Sequence, residues 1–394
     1  MSLSNAMEEE SMEKIPDLDL AQQRFLLTLP EDVVGAEEKE KVKQTLLAAI
    51  EKDNMLPFYQ ALCEQFKWKQ DAALVQKMSA EIDAHLKKLD ETIADAVENL
   101  GESEVREGHL AKSDYLCRIG DKEKAISCFR ETTEKTVGLG QKLDIVFTLI
   151  RMGFFWNDND LIVRNIEKAK SMIEQGGDWD RRNRLKVYEA LYNLTIRNFK
   201  QAATLFLEGL ATFTSYELFA YKDFIVYTVL VSVLSLNRVE LKKKVIDTPE
   251  ILSVKKEIGR VYDLLDSLYN SHYSTFFLCL ADITDAMKRD RYMAAHARYF
   301  CREMRIVAYA QMLDSYRSVR LESMANDFGV SAEFLDKEIS RFVAAGRLHC
   351  KIDKVAGIIE TTRPDARNAH YHDAIKQGDL LLNRVSKLSR IINL

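Results

Sequence analysis

The run "ALVQKMSAEIDAHLKKLDETIADAVENL", residues 73–100, constrains the fold more than any other stretch of the chain. Val75, Met78, Ile82, Leu86, Leu89, Ile93, Val97 and Leu100 recur at spacings of three and four. That period draws one apolar stripe along a helix. It predicts a single helix of about 30 residues, about 45 Å long at the usual rise, with Gly101 placed to end it. Only 5 of the 394 residues are proline. Proline interrupts helices and inner strands alike, so its scarcity extends the helical reading to the whole chain.

Hydrophobic residues make up 47% and charged residues 30%, enough for a large soluble core, and the length suits roughly two to three domain-sized units. The net charge of −5 provides no basic field to attract nucleic acid. No signal peptide is visible; Met1–Ala6 precede a second methionine, Met7, and are set aside as a cloning remnant. The longest apolar run, "FIVYTVLVSVLSL" (Phe224–Leu236), falls short of the about 20 residues that span a bilayer, and is expected as a buried helix. Cys63, Cys117, Cys128, Cys279, Cys301 and Cys350 form no CxxC pair. They read as reduced core thiols, which suits the cytoplasm and nucleus.

After Gly101 the pattern becomes one of paired helices. "RIGDKEKAISCF" (Arg118–Phe129) and "TIRNFKQAATLF" (Thr195–Phe206) align without gaps, matching Ala125 to Ala202 and Phe129 to Phe206. Between them, Ala169 and Ile173 show the same spacing. A small residue lets two helices approach and the larger one fills the gap a turn later, as in tetratricopeptide-like pairs. The resulting intervals, 44 and 33 residues, suggest a degenerate solenoid.

Further on, a short helix Leu321–Phe328, the turn "GVS", a helix Ala332–Ala345 and a stop at Gly346 outline a helix-turn-helix. "RLHCKID" (Arg347–Asp353) alternates Leu348, Cys350 and Ile352 on one face, and Val355–Thr362 can pair back as a wing. DNA reading by this motif is disfavoured: Glu333, Asp336 and Glu338 oppose Lys337 and Arg341 where a groove would be entered. The densest basic cluster, Arg181, Arg182, Arg184 and Lys186, sits beside Asp178 and Asp180 and reads as local ion pairing. A last helix, about 372–394, carries Leu381, Val385, Leu388 and Ile392 on one stripe, widened by Leu380, Leu382 and Ile391.

No sequence signature for chemistry emerges. P-loop, GxGxxG, GxSxG and HExxH patterns are absent. "HYH" (His370–His372) resembles the HxH of a metal-dependent isopeptidase, but Leu380 stands where that motif needs serine. His349 and Cys350, as strand neighbours, point to opposite faces and cannot act as a pair. The chain is therefore expected to be no enzyme and to need no cofactor or metal.

A helical solenoid, an acidic winged helix and a terminal amphipathic helix together resemble the PCI proteins, the scaffold subunits shared by the proteasome lid, the signalosome and a translation initiation factor. "GGDWDRRNRLKVYEALY" (Gly176–Tyr192), "SRFVAAGRLHCKIDKV" (Ser340–Val355) and "GDLLLNRVSKLSRIIN" (Gly378–Asn393) are similar to a proteasome lid member, as are "NLGESEVRE" (Asn99–Glu107) and "NDNDLI" (Asn157–Ile162). The resemblance covers nearly the whole chain from Pro16. It implies a mainly α fold: a right-handed TPR-like helical solenoid, then a PCI winged-helix domain, then a C-terminal amphipathic helix. The expected divisions are a flexible acidic 1–19, N-terminal helices over 20–100, repeats over 101–215, a PCI domain over 216–364 with its winged helix at 318–362, and a bundle helix over 365–394. The implied role is a non-catalytic scaffold for the lid in ubiquitin-dependent protein degradation. Its implied partners are other PCI lid subunits, the ATPase ring and the core particle, without membrane or nucleic acid. The partner-binding residues expected are His349, Cys350, Lys351 and Ile352 on the wing, with Leu381, Val385, Leu388 and Ile392 on the last helix. Because an unpaired strand edge invites a neighbour, a proline at Lys351 is expected to remove a donor from that edge. The alternatives are subunit one of the signalosome, of the same architecture, and a winged-helix nucleic-acid-binding regulator.

Overall fold

The computed structural model describes residues 14–99, 101–362 and 366–392. Among these are eighteen α-helices and one three-stranded sheet. The chain divides into two compact units. One holds the described residues up to Asp266 with Cys279–Phe300; the other holds Ser267–Leu278 with the described residues from Cys301.

In the first unit, α1 (Leu18–Thr28), α2 (Ala36–Asp53) and α3 (Leu56–Phe66) precede the long helix α4 (Ala72–Asn99). At 28 residues α4 has the expected length. Gly101, however, is not a left-handed stop: its φ of −95° is extended, and it opens α5 (Glu102–Arg118) as N-cap. The stripe of α4 is covered unevenly. Met78 and Ile82 are buried, Leu86, Leu89 and Ile93 half-buried, and Val97 is exposed. Ile82 joins a core with Leu116, Phe129, Ile145 and Met152.

Three helix hairpins follow: α5 with α6 (Lys122–Lys135), α7 (Leu139–Trp156) with α8 (Asn159–Glu174), and α9 (Trp179–Thr195) with α10 (Phe199–Gly209). Each turns in the same way. Gly120, Asn157 and Arg197 take positive φ of 81°, 59° and 65°. The next residue's N–H then reaches back five places: Asp121 to Leu116 O (3.1 Å), Asp158 to Gly153 O (2.9 Å) and Asn198 to Asn193 O (2.9 Å). These are the closures of a Schellman-type end, which satisfies carbonyls that a helix terminus leaves open. Asp121 and Asp158 also cap the next helix with their side chains.

This common turn corrects the repeat register. Counted from it, Ala125 and Ala202 correspond to Ile162, not to Ala169, and Phe129 and Phe206 correspond to Ile166. The small residue of the middle pair lies on the other helix. A Cβ on Gly153 would sit 2.6 Å from Ile162 Cγ1, so glycine on α7 makes the room that alanine makes on α6 and α10. Counted between Asp121, Asp158 and Asn198 the intervals are 37 and 40 residues, more even than the sequence alignment suggests. Ala169 is still fully buried, at the position of Thr132 and Gly209.

α11 (Tyr221–Ser235) is the expected buried helix, with Phe224, Ile225 and Val229 fully enclosed. After the short α12 (Arg238–Leu241) come α13 (Pro249–Tyr269), kinked at Gly259, and α14 (Tyr273–Arg289), of which Ser267–Leu278 counts with the second unit and the remainder with the first. The N-terminal hairpin is laced to distant parts of this unit. The Gln22 side chain donates to Arg289 O (2.6 Å) and accepts from Arg291 N–H (3.1 Å). Arg24 lies over the Trp156 ring, and Arg151 Nε donates to Ile15 O (3.0 Å). Residues 1–13 of the acidic N-terminal segment lie outside the described residues, while Leu18 and Leu20 are buried.

α15 (Ala297–Ser315), which belongs to the second unit from Cys301 onward, leads to β1 (Ser318–Arg320), α16 (Leu321–Phe328), α17 (Ala332–Ala344), β2 (Cys350–Asp353) and β3 (Ile358–Thr361). α16 coincides with the predicted helix and α17 ends one residue short of it. Gly329 at φ 67° makes the turn, and Ser331 caps α17 by accepting from Phe334 N–H (3.3 Å). An aromatic cluster holds the motif. Phe328 stacks on Tyr273 (centroids 4.6 Å apart) and meets Tyr309 at 4.9 Å. β1 was not anticipated. It makes the wing three-stranded, in the order β1-β3-β2. α18 (Ala366–Ile392) completes the described chain, starting before the predicted 372.

Candidate assembly surfaces

Two surfaces of the second unit stand open. The first is the free edge of β2. Leu348 and Cys350 are buried, Ile352 is half-buried, and His349 and Lys351 face solvent, as the alternation requires. His349 and Cys350 thus lie on opposite faces. β2 pairs antiparallel with β3, Lys351 opposite Glu360 and Ile352 opposite Ile359, and Thr362 N–H donates to His349 O (3.0 Å). In an antiparallel ladder, bonded and non-bonded pairs alternate. With His349 in a bonded pair, Lys351 and Asp353 also turn their N–H and C=O inward to β3. The groups aimed at the open edge belong to Cys350 and Ile352. The expectation that Lys351 supplies an edge donor is therefore corrected: one-residue parity assigns its N–H to the internal ladder.

The second surface is α18. Leu381, Val385, Leu388 and Ile392 are 57–73% exposed. Leu380, Leu382 and Ile391 are equally open, and Tyr371 and Ile375 extend the apolar surface toward the N-terminus. Lys376, Arg384, Lys387 and Arg390 are exposed beside it. His370 and His372 also lie on α18 and are exposed.

The charges on α17 differ from the sequence reading. Glu338 does not face outward. It is buried, accepting from Tyr309 Oη (2.7 Å) and pairing with Arg305. Burial first, and then Glu338, pushes the Tyr309 phenol well above its ordinary pKa. Glu303, also buried, accepts from Arg347 Nη1 (3.1 Å). The exposed face of α17 keeps Glu333, Lys337 and Arg341, with Phe334 40% exposed among them. Asp336 pairs with Lys354 (3.0 Å). The acidity that argued against a nucleic-acid groove thus shrinks to a near balance, because one of its three carboxylates serves the core.

In the first unit the basic cluster is committed to structure, though not chiefly to its sequence neighbours. Arg181 bonds Asp144 at 3.1 and 2.8 Å, and Arg184 bonds Glu217 at 2.7 Å. Tyr188 Oη donates to the same Glu217 oxygen at 2.9 Å, and Arg151 stands 3.8 Å from it. Lys186 reaches Glu208 at 3.0 Å. Nothing around residue 217 in the sequence signals this role. Burial holds the Cys117 thiol up at about 12, so it is protonated at neutral pH. No helix among the described residues is long and apolar enough to cross a membrane.

Three family models match along the chain. Residues 71–244 match the model described as 26S proteasome subunit RPN7, residues 280–363 the PCI domain, and residues 370–392 the 26S proteasome regulatory subunit RPN7/PSMD6 C-terminal helix. The last two cover the wing and α18. The 26S proteasome non-ATPase regulatory subunit 6 of Dictyostelium discoideum is 57% identical over 98% of this chain and 100% of its own length. Its namesake in Oryza sativa subsp. japonica is 54% identical over 96% of this chain and 97% of its own. The 26S proteasome regulatory subunit RPN7 of Saccharomyces cerevisiae is 36% identical, over 98% and 95%. Aligned over 96–98% of its length with these relatives, and matched by family models at the repeats, the winged helix and α18 alike, the chain belongs to the 26S proteasome non-ATPase regulatory subunit 6 (RPN7) family.

Proposed function

We propose that this chain is a non-catalytic scaffold of the lid of the 26S proteasome regulatory particle, working in ubiquitin-dependent protein degradation in the cytoplasm and nucleus. The observation that carries this is α18: a helix whose large apolar side chains are all exposed. Each such side chain gains at most about 1.5–3 kcal/mol on burial. Four could contribute up to roughly 10 kcal/mol before ordering costs, enough to decide entry into a bundle of partner helices. Leu381, Val385, Leu388 and Ile392 would form that contact.

The β2 edge is the second docking element. Its outward groups at Cys350 and Ile352 would be satisfied by a strand from a neighbouring PCI subunit, flanked by His349 and Lys351. The repeats over 101–215 would reach the ATPase ring and core particle. The relatives' names favour the proteasome over the signalosome, and no observation favours a nucleic-acid regulator. The test is to purify the tagged full chain from cells, with and without residues 376–394. Intact chain should co-elute with lid subunits and the truncated chain should not. Equal recovery of both would refute the bundle role.

A further inference from the structure

The first unit carries an apolar rim that its fold leaves uncovered. Val97, on the predicted buried stripe of α4, is 60% exposed, and Val137, between α6 and α7, is 87% exposed. With half-buried Val105 they line an open groove of about 450 Å³, together with Glu102, Glu134 and Lys135. The next connection along continues the rim: Trp179, opening α9, is 64% exposed. The two connections are tied together, since Gly140 of α7 lies against the Arg181 guanidinium and Arg181 bonds Asp144. All three connections lead into the first helix of a hairpin, so these side chains share one end of the repeats. Single exposed apolar residues need no explanation, but a row of valines ending in tryptophan does.

The charges around the groove are also placed against the fold's own interest. Glu102 and Glu104 suit the N-terminus of α5. Glu98 and Glu134 do not: they stand in the last turns of α4 and α6, where the helix dipole disfavours an acid. Both are exposed, and neither forms an ion pair among the described residues. Within the groove lining itself Glu102 and Glu134 are opposed by Lys135 alone. The local field is therefore negative over an apolar floor, and the complementary ligand is cationic and aliphatic.

We propose that this groove docks a short segment of a neighbouring subunit in which Lys or Arg alternates with Val, Leu or Ile. The aliphatic side chains cover Val97, Val105 and Val137, and the cations meet Glu102 and Glu134. This rests on the scaffold reading. To test it, a benzophenone amino acid replaces Val137 in the full tagged chain, and the assembled particle is irradiated and its crosslinks mapped. Val137 is exposed enough that folding is not at stake. The expected result is a crosslink to a Lys/Arg-rich aliphatic segment of another subunit. Adding Glu102→Lys with Glu134→Lys should lower its yield roughly fivefold, from two rim ion pairs. A particle that contains the chain but gives no crosslink, one to an acidic segment, or a yield unchanged by the reversals overturns this proposal alone. A chain recovered outside any complex overturns the scaffold reading along with it.

Discussion

Glu217 is a buried carboxylate whose loss should cost the first unit measurable stability. Its side chain is 4% exposed and one oxygen, Oε1, serves Arg184 and Tyr188 with Arg151 close by. The two arginine side chains are only 18% and 12% exposed. Glu217→Ala would leave both guanidinium groups enclosed with less countercharge, and truncating one partner of a buried ion pair costs about 3–5 kcal/mol. The lower end is expected, because Asp144 stays 3.6 Å from Arg184 and Ile15 O still accepts from Arg151. In a unit of roughly 290 residues, with about 2.1 cal/mol/K of unfolding entropy per residue, about 3 kcal/mol corresponds to a fall of about 5 °C in Tm. Glu217→Gln keeps an acceptor for Tyr188 and should fall between alanine and the parent. Arg182→Ala, exposed in the same cluster, should change stability by no more than about 0.5 kcal/mol. Differential scanning calorimetry of the four proteins decides the matter. If Glu217→Ala melts within a degree of the parent, water reaches the arginines and the reasoning about a dry ion cluster fails.

Ile352→Pro removes an N–H aimed at the open edge, so it should leave the circular dichroism unchanged and abolish association with neighbouring lid subunits. Lys351→Pro cuts the internal ladder instead, and should destabilise the winged helix itself by about 1–3 kcal/mol; the opposite pattern in urea melts and pull-downs would reverse the assigned parity. Deleting 376–394 should leave Tm within about 1 °C, since the side chains of α18 from His370 onward are exposed; a clear fall would place α18 in the subunit's own core. His296 is a pH test. Arg197 Nε donates to its Nδ1 (3.1 Å), so the proton sits on Nε2 facing Thr195 O (2.9 Å). Burial, aided by the Arg197 charge, holds its pKa below the ordinary 6.5. Below that value the unfolded chain takes up a proton that the folded one refuses, so this stability is present above 6.5 and lost as pH falls. Urea titrations at pH 7 and 5.5 should show the loss, and His296→Gln should reduce it; an unchanged acid limb would clear His296.

The helices were legible because helical period and proline scarcity are local properties, written every three or four residues. α4, α11, α16 and α17 follow from that pattern alone, and so does the stripe of α18. What covers a stripe is not local. The same period that buries Met78 leaves Val97 exposed, because the groove beside Val105 and Val137 is open there. Repeat register failed at Ala169 for a related reason: clearance between two helices can be made by a small residue on either one, and in the middle hairpin Gly153 supplies it. β1, three residues long, has no period of its own and exists only because β3 offers it an edge. The ion clusters are the clearest case. Arg184 could be read from the sequence as a surface cation beside Asp180, and Glu338 as an acid barring a DNA groove. Tertiary structure assigned the first to Glu217, 33 residues away, and the second to Arg305 and Tyr309. Sequence determined which segments are helices and which faces are apolar. Only the fold decided which charges meet and which apolar faces remain uncovered, because those depend on contacts between residues that no local pattern connects.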